Sequence, residues 1–405
     1  MKTRENKPHI GIFGKRNQGK SSFINTLTGQ EIAIVSNVAG TTTDAVKKSI
    51  EIKNIGPVIM IDTAGLDDTS PLGKKRVQKT MKILQEIDLA ILIFSNNKFT
   101  ETDEKLVEQF KRNYIPFFIV HNKSDVSPIR KEIKNKLDHF SDVIDFSCVK
   151  TKNLNLVFDL IKKHLPSSAY TAPSLFGNLI NYGDIVLLIT PIDSEAPEGR
   201  LILPQVQAIR DILDNDAIAI VLKEREVDIF LKKTNIIPAL AVTDSQVFLK
   251  AAASIPEKVP LTGFSVLLAH YKGDFDTYLS GTPHISKLKD GDKVLMLESC
   301  THQVSCDDIG RVKLPRWISN FTGKKLKFDI VSGLNDLPEK LTDYSLVIQC
   351  GGCMITRRQL INRIRPAIQA GVPVTNYGLA IAYVQGIYER AIAPFTSNKS
   401  SQLYL

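Results

Sequence analysis

The sequence predicts an α/β protein, a P-loop GTPase domain followed by two smaller α/β domains with mainly parallel sheets. Three observations carry that expectation. At residues 9–27 an apolar strand runs into a glycine-rich loop and then into a helical period. Apolar strands alternate with helical periods from residue 185 to 253, and the alternation resumes from 293 to 375. A length of 405 residues allows two or three domains with their own cores. The expected division is 1–168, 174–270 and 271–405. The first break falls at the turn-rich run His164-Leu-Pro-Ser-Ser-Ala-Tyr-Thr-Ala-Pro173.

Hydrophobic residues make up 43% and charged residues 23%, which excludes a disordered or fibrous chain. The first seven residues are polar, unlike a secretory signal. The apolar runs Leu89–Phe94, Ile185–Ile189 and Val294–Leu297 are too short to span a bilayer. A soluble cytoplasmic protein with no membrane partner is expected. The net charge of +9 is compatible with anionic ligands or nucleic acid and selects neither. Five cysteines, an odd number, argue for free thiols or metal ligands over a disulfide framework.

In the first domain, His9–Phe13 leads into Gly14-Lys-Arg-Asn-Gln-Gly19-Lys20-Ser21-Ser22 and a helix from Phe23. This is G-x-x-x-x-G-K-S between a strand and a helix. Gly14 and Gly19 let the backbone, Asn17, Gln18 and Ser22 included, wrap phosphate at a helix mouth. Lys20 would reach the β/γ-phosphates and Ser21 would ligate Mg²⁺. Asp62-Thr-Ala-Gly65 ends a second apolar strand; the carboxylate can hold magnesium through water and the Gly65 N–H can sense a γ-phosphate. Gly40-Thr41-Thr42-Thr43 supplies the expected switch threonines, Thr42 and Thr43. Asn122-Lys123-Ser-Asp125 follows a third strand. Asp125 can accept two hydrogen bonds from guanine, a donor pair that adenine lacks. Ser147-Cys148 would brace the base, with Cys148 read as a small pocket residue or, less readily, as a reactive thiol. GTP and GDP are the expected nucleotides.

Leu66 stands where Ras-like enzymes carry the glutamine that positions water. Asn17 and the run Asp62-Thr-Ala-Gly65-Leu-Asp-Asp resemble the tRNA-modification and ribosome-assembly GTPases typified by TrmE and Era. That resemblance implies a K⁺ ion held by Asn17 in place of an arginine finger, with potassium-stimulated hydrolysis. The alternative is that Asn17 only caps the loop.

The middle stretch reads as a small parallel α/β unit: strands at Ile185–Thr190, Ala217–Leu222 and Ala239–Val242, helices at Gln205–Leu213, Val227–Lys233 and Gln246–Ala253. Its residues show no acid, base and nucleophile constellation, so an interaction or dimerisation role is expected.

The last stretch gathers thiols at strand ends. Lys293–Leu297 precedes Glu298-Ser-Cys300-Thr-His302-Gln-Val-Ser-Cys306, and Tyr344–Ile348 precedes Gln349-Cys350-Gly-Gly-Cys353. Ligands bind at the carboxyl edge of a parallel sheet, so Cys300 can meet Cys350 and Cys353 there. Three thiolates suit a 4Fe–4S cluster with one open iron; a zinc site with Cys300, His302, Cys350 and Cys353, or inert buried thiols, are the alternatives.

Taken with the GTPase motifs, this C-x-H…C-G-G-C pattern resembles the FeFe-hydrogenase maturation GTPases over nearly the whole chain. The resemblance implies that Cys300, Cys350 and Cys353 ligate the cluster and that a diiron precursor cluster is carried to an apo-hydrogenase. Radical-SAM maturases would be further partners, and a homodimer or higher homo-oligomer the assembly. Gln349 departs from the histidine that the family often places there. The fourth ligand is therefore open among Glu298, His302, Cys306 and an exchangeable group, with Glu298 or an exchangeable group favoured. Arg357 and Arg358 either hold an anionic precursor or face solvent. The other readings are a TrmE-like tRNA-modification GTPase, whose C-terminal C-x-G-K the chain lacks, and a GTP-dependent assembly factor with structural zinc.

Overall fold

The computed structural model describes residues 7–29, 46–53, 55–63, 83–84, 86–150, 153–166, 169, 174–191, 201–299 and 308–396. The chain divides into two compact units, residues 1–172 and 173–405. No helix among the described residues is long and apolar enough to cross a membrane.

The first unit is built on a six-stranded sheet of order β2-β3-β1-β4-β5-β6. β1 (His9–Phe13), β3 (Gly56–Asp62), β4 (Leu89–Ser95), β5 (Phe117–Asn122) and β6 (Val143–Asp145) run parallel, and β2 (Val46–Ile52) pairs antiparallel with β3. Every residue of β4, Leu-Ala-Ile-Leu-Ile-Phe-Ser, is buried. A strand covered by helices on both faces needs such a continuous apolar run, each large side chain contributing roughly 1.5–3 kcal/mol. α1 (Lys20–Thr28) follows β1 across the loop. α2 (Glu101–Arg112) starts at a Thr100–Asp103 capping box and carries acids in its first turn and bases in its last, which satisfies its end groups and its dipole. α3 (Lys131–Asp138) and α4 (Leu154–His164) complete the described helices of this unit.

The second unit holds two four-stranded, wholly parallel sheets. One has the order β10-β9-β7-β8, from β7 (Ile185–Ile189), β8 (Ile218–Leu222), β9 (Leu240–Thr243) and β10 (Leu261–Gly263). α5 (Leu203–Asp214), α6 (Val227–Thr234) and α7 (Phe248–Ser254) make its crossovers. The other has the order β12-β11-β13-β14, from β11 (Lys293–Leu297), β12 (Lys327–Val331), β13 (Leu346–Gln349) and β14 (Val374–Asn376).

One helix belongs to both sheets. α8 (Phe264–Lys272) leaves β10 directly and buries Phe264, Val266, Leu267, Leu268 and Ala269. These join Val186, Leu188 and Val242 of the first sheet and Leu295, Leu297 and Val347 of the second in a single apolar cluster. α9 (Phe275–Gly281) then lies against β14, α10 (Leu314–Thr322) and α11 (Arg357–Gln369) make crossovers of the second sheet, and α12 (Tyr377–Val384) and α13 (Tyr388–Thr396) close the unit. The strand at Lys327–Val331 and the helices at 264–281 and 377–396 were not expected from the sequence.

Gly281 marks the tightest approach in this unit, because a Cβ there would run into the backbone of Val374. Gly281→Ala is expected to push α9 off β14 and to cost about 2 kcal/mol, read as a lower midpoint in urea unfolding. An unchanged midpoint would mean that the two backbones can separate freely.

Candidate functional site

The glycine-rich loop forms where β1 ends. Gly14 has φ +144° and its missing side chain leaves room for the Ile93 carbonyl; Gly19 has φ +89° and abuts the Asn122 amide. Both are conformations and contacts that only glycine meets without strain. Gly19 is also the N-cap of α1 and brings no side-chain cap, so first-turn N–H groups stay open to an anion. Lys20 folds back over the loop, donating to the carbonyls of Gly14 at 2.9 Å and Lys15 at 2.7 Å. Ser21 Oγ donates to Asp62 Oδ2 at 2.7 Å, which sets two magnesium-capable oxygens side by side. Burial pushes the Asp62 carboxyl above its ordinary range, against the pull of Ser21, Lys20 and Lys48. Asn17 is exposed, at φ +58°, and its carbonyl accepts from Lys123 Nζ at 2.7 Å. Ser22 accompanies Ser21 in the first turn of α1.

The residues expected to read a base lie at and beyond the end of β5 and after β6, and Asn122 meets this loop. Asn122 donates to the Gln18 carbonyl at 2.9 Å and lies 3.4 Å from Cys148 Sγ. Asp125 Oδ1 accepts from Ser147 Oγ at 2.6 Å, a bond that lowers the carboxyl below its ordinary value. The carboxylate is thereby ionised and oriented, as reading two donors of a base requires. Burial raises the Cys148 thiol, so it is a weak nucleophile. His121 and Asp145 form a pair with no counterpart in the sequence reading. His121 is fully buried, its Nδ1 lies 2.7 Å from Asp145 Oδ1, and its Nε2 accepts from Asn97 N. That arrangement fixes the end of β5 next to Asn122.

The thiol edge lies in the second unit. Leu297 pairs with Val331 and Gln349, and Gln349 with Asn376, giving one row across the carboxyl ends of four parallel strands. Glu298, Ser332, Cys350 and Tyr377 are the next residues of each chain segment. Cys350 Sγ accepts from Ser299 N at 3.1 Å, lies 3.0 Å from Ser299 Oγ and 3.5 Å from Gln349 Nε2. Hydrogen bonds of this kind to sulfur are one of the levers that tune iron–sulfur centres. Gly352, at φ +66°, turns the chain between Cys350 and Cys353, both of which are free thiols. Lys272, 2% exposed, arrives from the end of α8 and donates to the carbonyls of Gly352 at 2.9 Å, Cys353 at 3.3 Å and Ile355 at 3.0 Å. Thr356 then caps α11 reciprocally with Gln359, ending the loop. Two soft thiols on a fixed turn, with N–H donors on one sulfur, fit an iron–sulfur group.

Thr42, Thr43, Gly65, Leu66, Cys300, His302 and Cys306 lie outside the described residues. Among the described residues no three His, Cys, Asp or Glu side chains converge as a metal-holding group. Glu298, favoured from sequence as an oxygen ligand, has its carboxylate bound by Arg311 through Nε at 3.0 Å and Nη2 at 2.7 Å, with Ser332 Oγ at 2.9 Å. Arg357 is exposed and lines a cavity of about 480 Å³ with His270, Asp274 and Phe275, while Arg358 is half-buried. The arginine buried at the thiol edge is Arg363, which the sequence reading passed over.

Comparison with known proteins adds three family models. One described as hydrogen maturase F dimerization domain matches residues 175–273, one described as hydrogen maturase F tetramerization domain matches 276–394, and one described as 50S ribosome-binding GTPase matches 9–123. The tRNA modification GTPase MnmE of Coxiella burnetii (strain RSA 493 / Nine Mile phase I) is 39% identical over 166 residues, covering 40% of this chain and 34% of that protein. The MnmE of Prochlorococcus marinus (strain NATL1A) is 44% identical over 119 residues, covering 29% of this chain and 25% of that protein. The chain thus spans about a third or less of the length of the curated relatives it matches. A solved structure of Era in complex with MgGDPNP and a segment of 16S ribosomal RNA is 29% identical, covers 39% of this chain and 57% of the other, and gives a TM-score of 0.36.

The raised carboxyl of Asp62 has a measurable cost. A carboxyl raised by folding weakens the fold as pH climbs through its folded-state value, so the penalty is present at neutral pH and absent in acid. Asp62→Asn is expected to raise the melting temperature of nucleotide-free protein in a chelator at pH 7 by roughly 2–4 °C, the effect of about 1 kcal/mol. The gain should shrink toward pH 4. A variant that melts lower at pH 7 would refute the sign.

Proposed function

The chain belongs to the hydrogen maturase F family of GTPases, and on that premise we propose that it is a GTP-hydrolysing scaffold for an iron–sulfur cluster of 4Fe–4S type. Its cargo would be a diiron precursor delivered to apo-FeFe-hydrogenase in the cytoplasm. The observation that carries this reading is the pairing, in one chain, of a GTPase domain with a Cys350–Cys353 turn at the sheet edge of the segment matched as tetramerization domain. Such a chain is a homo-oligomer, with separate dimerization and tetramerization domains. Edge strand β8 leaves Ile218 and Val221 exposed, a surface suited to a second copy.

In the nucleotide cycle, Lys20 would leave the Gly14 and Lys15 carbonyls for the β/γ-phosphates, since a phosphate outcompetes neutral acceptors for an ammonium. Ser21 would exchange its bond to Asp62 for Mg²⁺, and Asp62 would hold the ion through water. Asn122, Asp125, Ser147 and Cys148 would frame the guanine, with Lys123 bracing the loop. Thr42, Thr43 and Gly65 would register the γ-phosphate. Leu66 cannot polarise water, so K⁺ held at Asn17 would supply the missing positive charge. The tRNA-modification reading rests on likeness that covers 40% of this chain and 34% of the MnmE protein.

In the second unit, Cys300, Cys350 and Cys353 would hold the cluster. The fourth position would fall to Glu298, on exchange of its bond to Arg311, or to His302, Cys306 or an exchangeable group. A cluster held there would supply an iron with an exchangeable position. Ser299 and Gln349 orient the Cys350 sulfur, and Lys272 holds the turn that sets the Cys350-to-Cys353 spacing. Radical-SAM maturases would load the cargo, and GTP turnover would bias which partner docks.

Anaerobic purification of the wild type should give a brown, iron-bearing protein. Iron content is expected to fall by most of its value in each of Cys300→Ala, Cys350→Ala and Cys353→Ala. Loaded wild type incubated with apo-hydrogenase should produce hydrogen evolution. Iron unchanged in all three variants would refute the cluster. Hydrolysis is expected to run at least tenfold faster in K⁺ than in Na⁺, and Asn17→Ala should remove the difference. Equal rates in the two salts would remove the potassium assignment.

A further inference from the structure

Arg363 lies on α11, behind the thiol edge, and is 6% exposed. One corner of its guanidinium is anchored, with Nη2 donating to the Val331 carbonyl at 2.6 Å. Among the described residues Nε and Nη1, both buried, have no hydrogen-bond partner. Burial pushes the guanidinium below its ordinary value, and the groups that oppose the shift are Cys350, Tyr377 and Glu298. Glu298 is already held by Arg311, and Arg363 makes no ion pair among the described residues.

Asn376 adds another donor at the same edge. Its Oδ1 accepts from Gly378 N at 2.8 Å, while its Nδ2 is buried without a partner. Val331 and Asn376 end the outer strands of the row whose inner members are Leu297 and Gln349, and Cys350 follows Gln349. A cation buried with unpaired N–H groups destabilises the fold. An anion with several acceptor sites removes that cost, and a guanidinium fixed at one corner presents its remaining N–H groups as a preset fork.

We propose that Arg363, assisted by Asn376, is an anion-recognition site of the crevice beside Cys350, donating to the anionic iron-bound group held through that thiol. The inference rests on the cluster reading given above. A cluster held by three thiolates is negatively charged, more so when reduced, and its sulfides accept hydrogen bonds; iron-bound cyanide on a diiron cargo offers the same chemistry. Arg363 is a positioning and charge-balancing residue in either case. Of Arg357 and Arg358, read from sequence as either holding an anionic precursor or facing solvent, Arg357 is exposed and lines the His270–Phe275 cavity.

The test uses full-length protein as wild type, Arg363→Met and Arg363→Gln, each prepared free of iron and after anaerobic reconstitution with ferrous iron and sulfide. Two quantities are read: the rise in melting temperature on loading, and the cluster's midpoint potential followed by EPR. Iron-free Arg363→Met is expected to melt no lower than iron-free wild type, because an unpaired cation has gone. Loading should stabilise the variant less than the wild type, and the potential should move negative. A tenfold loss of preference for the reduced cluster is a shift of about 59 mV for one electron. An effect that emerges only after adding a synthetic dicyanide diiron complex assigns the site to the cargo. A residue that merely supports the fold gives another signature: both forms lose stability equally, with loading gain and potential unchanged before and after the diiron complex. That result overturns the proposal. Should Arg363→Met fail to fold, Arg363→Gln, which keeps a donor for Val331, decides by the same comparison. Iron retained in all of Cys300→Ala, Cys350→Ala and Cys353→Ala would sink the cluster reading itself; iron lost there, with wild-type behaviour of the Arg363 variants, would sink this inference alone.

Discussion

A lysine ammonium inside a protein costs several kcal/mol unless oxygen atoms take up its N–H groups, and Lys272 meets that demand with three backbone carbonyls. Those carbonyls belong to Gly352, Cys353 and Ile355, the turn between the two thiols and the capped helix. The lysine itself ends α8, the helix whose apolar side chains complete the cores of both parallel sheets. The turn is therefore shaped from the segment matched as dimerization domain, while the thiols belong to the segment matched as tetramerization domain. Loss of the ammonium would orphan three carbonyls in the interior and leave the Cys350-to-Cys353 spacing without its support. This bond set makes the two sheets one unit and the two thiols one site.

The same device serves a different end in the first unit. Lys20 also caps carbonyls, those of Gly14 and Lys15, but the acceptors lie only five and six residues before it, within its own loop. A lysine bound to its own loop can trade those bonds for phosphate with little rearrangement. Lys272 reaches across 80 residues and more, and releasing it would uncouple packed elements. The contrast follows from sequence separation: a local cap is a latch and a long-range cap is a weld. Both stand at carboxyl edges of parallel strands, where helices begin and backbone groups are left for a ligand.

Chemistry carried by local spacing was legible in the sequence. The G-x-x-x-x-G-K-S loop, the Asp62 strand end and the Asn122–Asp125 motif lie where strand, loop and helix follow one another within a few residues. The parallel sheets of the second unit were legible too, because buried strands such as Ile185–Ile189 read as continuous apolar runs. Helices α8 and α12 were not, since Phe264–Lys272 and Tyr377–Val384 are apolar on nearly every side and lack the one-faced period that betrays a helix. The strand Lys327–Val331 is an exposed edge with charged residues, so its pattern is polar. Glu298 was favoured as a readily leaving oxygen ligand, and the partner its carboxylate has here, Arg311, is brought up by the turn before α10 and lies outside the reach of local spacing. Arg363 shares the face of Leu360, Ile364 and Ala367, but an arginine reads as surface by type; its burial and its bond to the Val331 carbonyl show otherwise.

Charge balance ties these observations together. At the thiol edge Glu298 and Arg311 neutralise each other, Lys272 is seen bonded to neutral carbonyls, and Arg363 to one neutral carbonyl. Arg363 is therefore a buried positive charge beside Cys350 with no ion pair among the described residues. Neutral thiols would leave that charge standing, and the interior would bear its full cost. Thiolates around an anionic iron–sulfur group would cancel it, with Arg363 and Asn376 supplying donors that have no other acceptor. The positive balance of the whole chain, uninformative as a sum, thus acquires a place: part of it is Arg363, buried beside Cys350.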